Sequence, residues 1–104
     1  MARMMCNTLS RKNPYRMPKP ITRMIYHLCL GYRDQDPVDR EIIRATVDVV
    51  AEDPVIRDAV FKAVTEGKCY KDFDLSDTIT DKKFYRLIRQ YYYLLARRMR
   101  LWVQ

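Results

Sequence analysis

The residues best suited to chemistry lie in one run near the end of the chain: Lys82, Lys83, Arg86, Arg89, Gln90, Tyr93 and Arg97. Their chemistry is recognition of anions, not bond making. Arg and Lys pair with phosphate or reach the edge of guanine, and Gln pairs with adenine. A Tyr ring stacks on a base or donates to a phosphate. At about 100° per residue of α-helix, Lys82, Arg86, Arg89, Tyr93, Arg97 and Arg100 fall on one stripe. Phe84, Ile88, Tyr91, Leu95, Met99 and Trp102 fall on the opposite one. The spacing predicts a single amphipathic helix from Thr80 to Val103, with Thr80 as its cap. One face wants a core; the other wants water or a polyanion. Lys82–Gln90 suits a major groove. Arg97, Arg98 and Arg100 lie too far along to share that groove and suit backbone or another partner. The plainer reading of the same stripe is the solvated face of a bundle helix.

Covalent chemistry has little to work with. His27 is the only histidine and no nucleophile motif accompanies it. The two glycines are isolated, so no phosphate-cradling loop is present. Asp72 and Asp74 read as solvated loop, and the carboxylates near helix starts read as caps. No enzyme, catalytic residue or cofactor is therefore expected. Cys6, Cys29, Cys69 and His27 fit no zinc spacing, so no metal is expected either. Three widely spaced cysteines without a C-x-x-C suit free thiols in a reducing cytoplasm. No apolar run approaches the ~18 residues of a membrane span, and polar residues break the basic N-terminus before any signal-peptide core.

Charge is segregated along the chain. Residues 1–33 hold seven Lys/Arg and no Asp/Glu, residues 34–81 hold six Lys/Arg and all thirteen Asp/Glu, and residues 82–104 hold seven Lys/Arg and no acid. The segments carry +7, −7 and +7, which sum to the net +7. Two basic ends that converge would form one positive surface for nucleic acid, anionic lipid or an acidic protein. The acidic middle could instead neutralise them internally.

The elements that must hold these side chains read as helices. With only two glycines in 104 residues the chain lacks the turns of an all-β fold. Residues 1–20, with Pro14, Pro18 and Pro20, read as a basic, partly extended arm, with one short turn allowed around Met4, Met5 and Leu9. Pro20 opens a helix carrying Ile21, Met24, Ile25, Leu28 and Tyr32 on one face. Asp36-Pro37 opens the next, where Val38, Ile42, Ala45, Thr46 and Val49 form one row and Ile43, Val47 and Val50 another. Asp53-Pro54 opens a third, with Val55, Ile56, Ala59, Val60, Ala63 and Val64 inward and Gly67 as its left-handed stop. Residues 68–79 read either as a short helix or as a loop pinned by Tyr70, Phe73 and Leu75. Leu87, Leu94 and Leu101 form a further stripe at steps of seven. It serves either one broad core face or a homodimer. The fold class expected is all-α: one domain over residues 1–104, a small bundle of four to five helices ending in the basic helix.

From residue 53 onward three stretches follow one another: D-P-V-I-R-D-A-V-F-K-A-V, G-K-C-Y-K-D-F and T-I-T-D-K-K-F-Y-R-L-I-R-Q-Y-Y-Y-L-L-A-R-R-M. This order resembles small phage and prophage proteins of Gram-positive bacteria, of the ArpU/RinA kind. They are similar to degenerate region-four domains of sigma factors and act as late-gene transcriptional regulators. The resemblance implies a helix-turn-helix-like half over residues 53–104, with a compact first helix in Lys68–Ile79 and a recognition helix starting at Thr80. It puts Lys82, Lys83, Arg86 and Arg89 on double-stranded DNA and Phe84, Ile88 and Leu95 in the core. It also brings host RNA polymerase into view as a partner. The reading from another class is a phage-encoded interaction module or inhibitor that binds a host protein or nucleoprotein complex through the same basic helix. A peripheral membrane role is not expected, because the core needs the apolar face.

Overall fold

Three of the four long helices start where an acceptor side chain meets a donor-rich first turn. Asp36 accepts from the Asp39 amide at 2.8 Å, and Asp53 from the Val55 amide at 2.8 Å. Thr80 accepts from the Lys83 amide at 3.3 Å. Proline occupies an early position after each Asp cap, where its missing N–H costs nothing. The computed structural model describes residues 16–102. Within them lie α1 (Lys19–Leu30), α2 (Pro37–Val50), α3 (Pro54–Glu66) and α4 (Asp81–Arg98), with 3₁₀ turns at Tyr32–Asp34 and Tyr70–Asp72. The described chain is an all-helical bundle, as the sequence predicts. The arm of residues 1–15, with Cys6 and the Met4–Leu9 turn, lies outside the described residues. Of the rest of the arm, Arg16 is exposed and Met17 packs against the core.

One core joins all four helices. Ile25 and Cys29 come from α1, Ile43, Thr46 and Val47 from α2, and Ala59, Val60 and Val64 from α3. Phe84, Tyr91, Leu95 and Ala96 come from α4, which packs on all three other helices and most closely on α2. Tyr91 is fully buried and still satisfied, because its hydroxyl donates to the Ile43 carbonyl at 2.9 Å. The Cys29 sulfur lies 3.9 Å from that hydroxyl. Since the Tyr91 proton is used on Ile43, the thiol is the donor to Tyr91. Thr46, the buried polar residue, returns its hydroxyl to the Ile42 carbonyl at 2.7 Å.

Burial fixes the titration of this cluster. It pushes the Cys29 thiol up from 9.0 to about 12, against a smaller opposing effect of the Tyr91 hydrogen bond. Burial first, and then the neighbouring Cys29, raise Tyr91 above the usual phenol range, and Tyr92 is raised in the same way. Between pH 9 and 12 the unfolded chain therefore binds fewer protons than the folded one. Stability is fully present below pH 9 and falls as pH rises toward the folded value. Urea midpoints are expected to hold from pH 7 to 8.5 and to drop steadily above pH 9. In a Cys6→Ser background at pH 8, a thiol reagent should label exposed Cys69 at once and buried Cys29 only as fast as the protein opens. Two equally fast thiols would contradict the buried placement.

The last helix is shorter than the periodicity predicts. It ends at Arg98, not Val103, so its 18 residues span about 27 Å. Arg100 takes a left-handed conformation with φ 58°. The Leu101 amide donates to the Ala96 carbonyl at 2.9 Å and the Arg100 amide to Arg97 at 3.1 Å, which closes the helix end. A non-glycine residue there costs roughly 1–2 kcal/mol. Packing Leu101 on the core and Trp102 on Tyr93 offsets it, since burying each such side chain stabilises by about 1.5–3 kcal/mol. Arg100→Gly removes the steric cost but frees the unfolded chain. It should stabilise by roughly 0.5–1 kcal/mol, raising Tm by about 3–5 °C. A lower Tm on calorimetry would show that the Arg100 side chain holds the turn.

Five further details depart from the sequence reading. α1 begins at Lys19, so Pro20 is second in the helix rather than first. Met24 is 47% exposed, and Cys29 fills the core position beside Ile25. On α2 the core takes Ile43, Thr46 and Val47, leaving Val38 69% and Val49 52% exposed. Val55, on the first turn of α3, is exposed as well. The compact first helix implied for Lys68–Ile79 is absent: the stretch holds one 3₁₀ turn and a loop. Asp72 accepts from the Cys69 amide at 2.7 Å, a capping-box bond that opens the 3₁₀ turn, and the turn ends at Asp72 itself. Tyr70 and Phe73 pack on Phe84, and the Tyr85 hydroxyl accepts from the Tyr70 amide at 2.9 Å. Leu75 is buried beneath the loop. The anchored-loop alternative is the one that forms.

Candidate nucleic-acid interface

Apolar periodicity turns α4 so that its cations face away from the core. Phe84, Tyr91 and Leu95 are buried, and the positions half a turn away are Lys82, Arg86, Arg89, Tyr93 and Arg97. Lys82, Lys83, Arg86, Arg89 and Arg97 are exposed, while Gln90 and Tyr93 are half-buried on the shoulders. From Lys82 to Arg97 the row rises about 22 Å, the length of about six base pairs.

The row is not neutralised by the protein. Among the described residues the ion pairs are Arg57–Asp48 at 3.6 Å and Lys62–Asp58 at 3.1 Å, all on α2 and α3. Among the described residues no carboxylate lies within ion-pair reach of Lys82, Lys83, Arg86 or Arg89. Asp81 is the single acid of α4 and sits in its first turn, where it complements the positive helix end. The internal neutralisation considered from the charge pattern does not reach this face.

The C-terminal half of the row is built differently. Arg97 donates to the Tyr93 hydroxyl at 3.1 Å, and its guanidinium carbon lies 5.6 Å from the centre of the Tyr93 ring. Trp102, brought back by the Arg100 turn, meets Tyr93 edge-on with ring centres 5.5 Å apart. Tyr93 thus joins Arg97 and Trp102 in one aromatic–cationic cluster. Trp102 packs against the core, as helical periodicity predicts, and also joins this face, because the chain reverses at Arg100 with no Gly or Pro to signal it. Arg98, predicted to lie over backbone or a partner, turns toward α2, with a long donor distance of 3.5 Å to the Thr46 hydroxyl. Of the remaining polar candidates, His27 is on the surface, edge-on to Tyr26 at 5.4 Å. Leu87 and Leu101 of the seven-step stripe pack against the core.

Among the described residues no three of His, Cys, Asp and Glu converge as metal ligands, and no helix is long and apolar enough to cross a membrane. Comparison of the chain with protein-family models, characterised proteins and solved structures returns no match.

Proposed function

We propose that the protein binds double-stranded DNA through the outward face of α4, as a phage-type transcriptional regulator of the kind its second half resembles. One observation carries this: Lys82, Lys83, Arg86 and Arg89 project on one exposed helix face with no carboxylate among the described residues in ion-pair reach. Such a row repels itself in the free protein, and phosphate relieves that repulsion while releasing counterions. Gln90 on the shoulder is the side chain suited to reading a base edge. Tyr93 and Arg97, already joined, present an aromatic edge and a guanidinium to the backbone.

The loop between α3 and α4 favours a second reading. With no compact helix ahead of α4, nothing in Lys68–Ile79 sets the approach angle of a helix-turn-helix. The same cations would then engage an acidic face of a host protein or nucleoprotein complex. Fluorescence anisotropy with labelled duplexes of about 20 base pairs separates the two. DNA binding is expected at about 50 mM salt and should weaken steeply by about 200 mM. Absence of binding at the lower salt would overturn the DNA reading and leave the protein partner.

A further inference from the structure

α2 carries two apolar rows, and the core takes one of them together with Thr46 and part of Ile42 from the other. Ile43 and Val47 are buried and Val50 packs against the core. The second row, Val38, Ile42, Ala45 and Val49, advances by four, three and four residues. Val38 and Val49 are 69% and 52% exposed, and Ile42 and Ala45 are half-buried. Alternating steps of four and three keep an apolar seam facing one partner helix along its length.

The flank of the row tells what kind of helix. Glu41 and Asp48 lie along the side turned away from the core, with Glu52 just past the helix end. Glu41 and Glu52 enter no ion pair among the described residues, and Asp48 reaches Arg57 only at 3.6 Å. Pairing α2 antiparallel with α2 of a second copy would set Glu41 beside Asp48, at a cost. A second copy could offer its cationic α4, but that helix has already buried its apolar stripe in its own core. The complement is a helix with a modest apolar seam bordered by Lys or Arg, docking as an amphipathic helix on a groove.

We propose that the Val38–Ile42–Ala45–Val49 face of α2 receives a cationic amphipathic helix from a different protein. The site uses none of the residues of the α4 face, so it stands or falls separately from DNA binding.

The probe is a labelled Leu/Lys peptide of roughly 18 residues, with leucines at the same four-three spacing, beside its Leu/Glu counterpart. Anisotropy at about 50 mM salt should show micromolar binding of the Lys peptide and at least about tenfold weaker binding of the Glu peptide. Val38→Glu/Val49→Glu should weaken the Lys peptide at least about tenfold with an unchanged circular dichroism spectrum, since both side chains are exposed. Glu41→Lys/Asp48→Lys should reverse the preference toward the Glu peptide. Equal binding by wild type and the valine variant would overturn the proposal, because charge alone would then be responsible. A sedimenting dimer that the valine variant dissolves would overturn it too, by giving the face to a second copy.

Discussion

Tyr91→Ala should lose about 3–5 kcal/mol of stability, whereas Tyr91→Phe should lose about 1 kcal/mol. Tyr91 is the largest fully buried side chain and touches two other helices, through Ile43 of α2 and Cys29 of α1. Removing a buried aromatic ring costs roughly 3–5 kcal/mol in transfer and cavity terms. A domain of this size has only about 5–15 kcal/mol in total. Removing the hydroxyl alone costs much less. The Ile43 carbonyl keeps its own helix partner, so the loss is the hydroxyl's bond to it and the weak thiol contact from Cys29. Urea titrations of the two variants test this. Similar losses would show that the hydroxyl network holds the helices together, and that the ring does not.

The second large effect is on binding. Arg86→Ala/Arg89→Ala should lower duplex affinity by about 10- to 100-fold at about 0.1 M salt. Both side chains are exposed and touch no carboxylate, and alanine is the better helix former. Helicity and Tm should therefore stay constant or rise. A collapse of helicity would show that the polar face supports the fold. By contrast, Gln90→Ala should change preference among duplexes more than overall affinity, because base edges carry the discrimination and phosphates the affinity.

The parts of this fold legible in the sequence are those settled within one helical turn. Asp36, Asp53 and Thr80 cap the helices that their sequence context announces, and Gly67, at φ 74°, ends α3. The outward direction of Lys82, Arg86 and Arg89 follows from the same periodicity that buries Phe84 and Tyr91. What failed needed tertiary knowledge. α2 has two apolar rows of equal quality, and only the position of α3 and α4 decides that Ile43 and Val47 go inside. Arg100 adopts a conformation that its residue type disfavours, since burial of Leu101 and Trp102 outweighs the cost. Spacing places Tyr93 and Arg97 on the candidate interface, but the approach of Trp102 to Tyr93 depends on that reversal and could not be read from it. Residues 68–79 hold apolar anchors at helix-like intervals, yet the capping box of Cys69 and Asp72 opens only the turn Tyr70–Asp72, and Phe73 and Leu75 go to the core from the loop beyond it.

The salt dependence of duplex binding, for wild type and for Arg86→Ala/Arg89→Ala side by side, tests most directly whether the α4 face is the DNA site. Lys82, Arg86, Arg89 and Arg97 on phosphates give a slope of log affinity against log salt of about −4. Removing two of them should make it shallower by about 2. Two parallel lines, or no binding of wild type at about 50 mM salt, would contradict the assignment of this face to DNA.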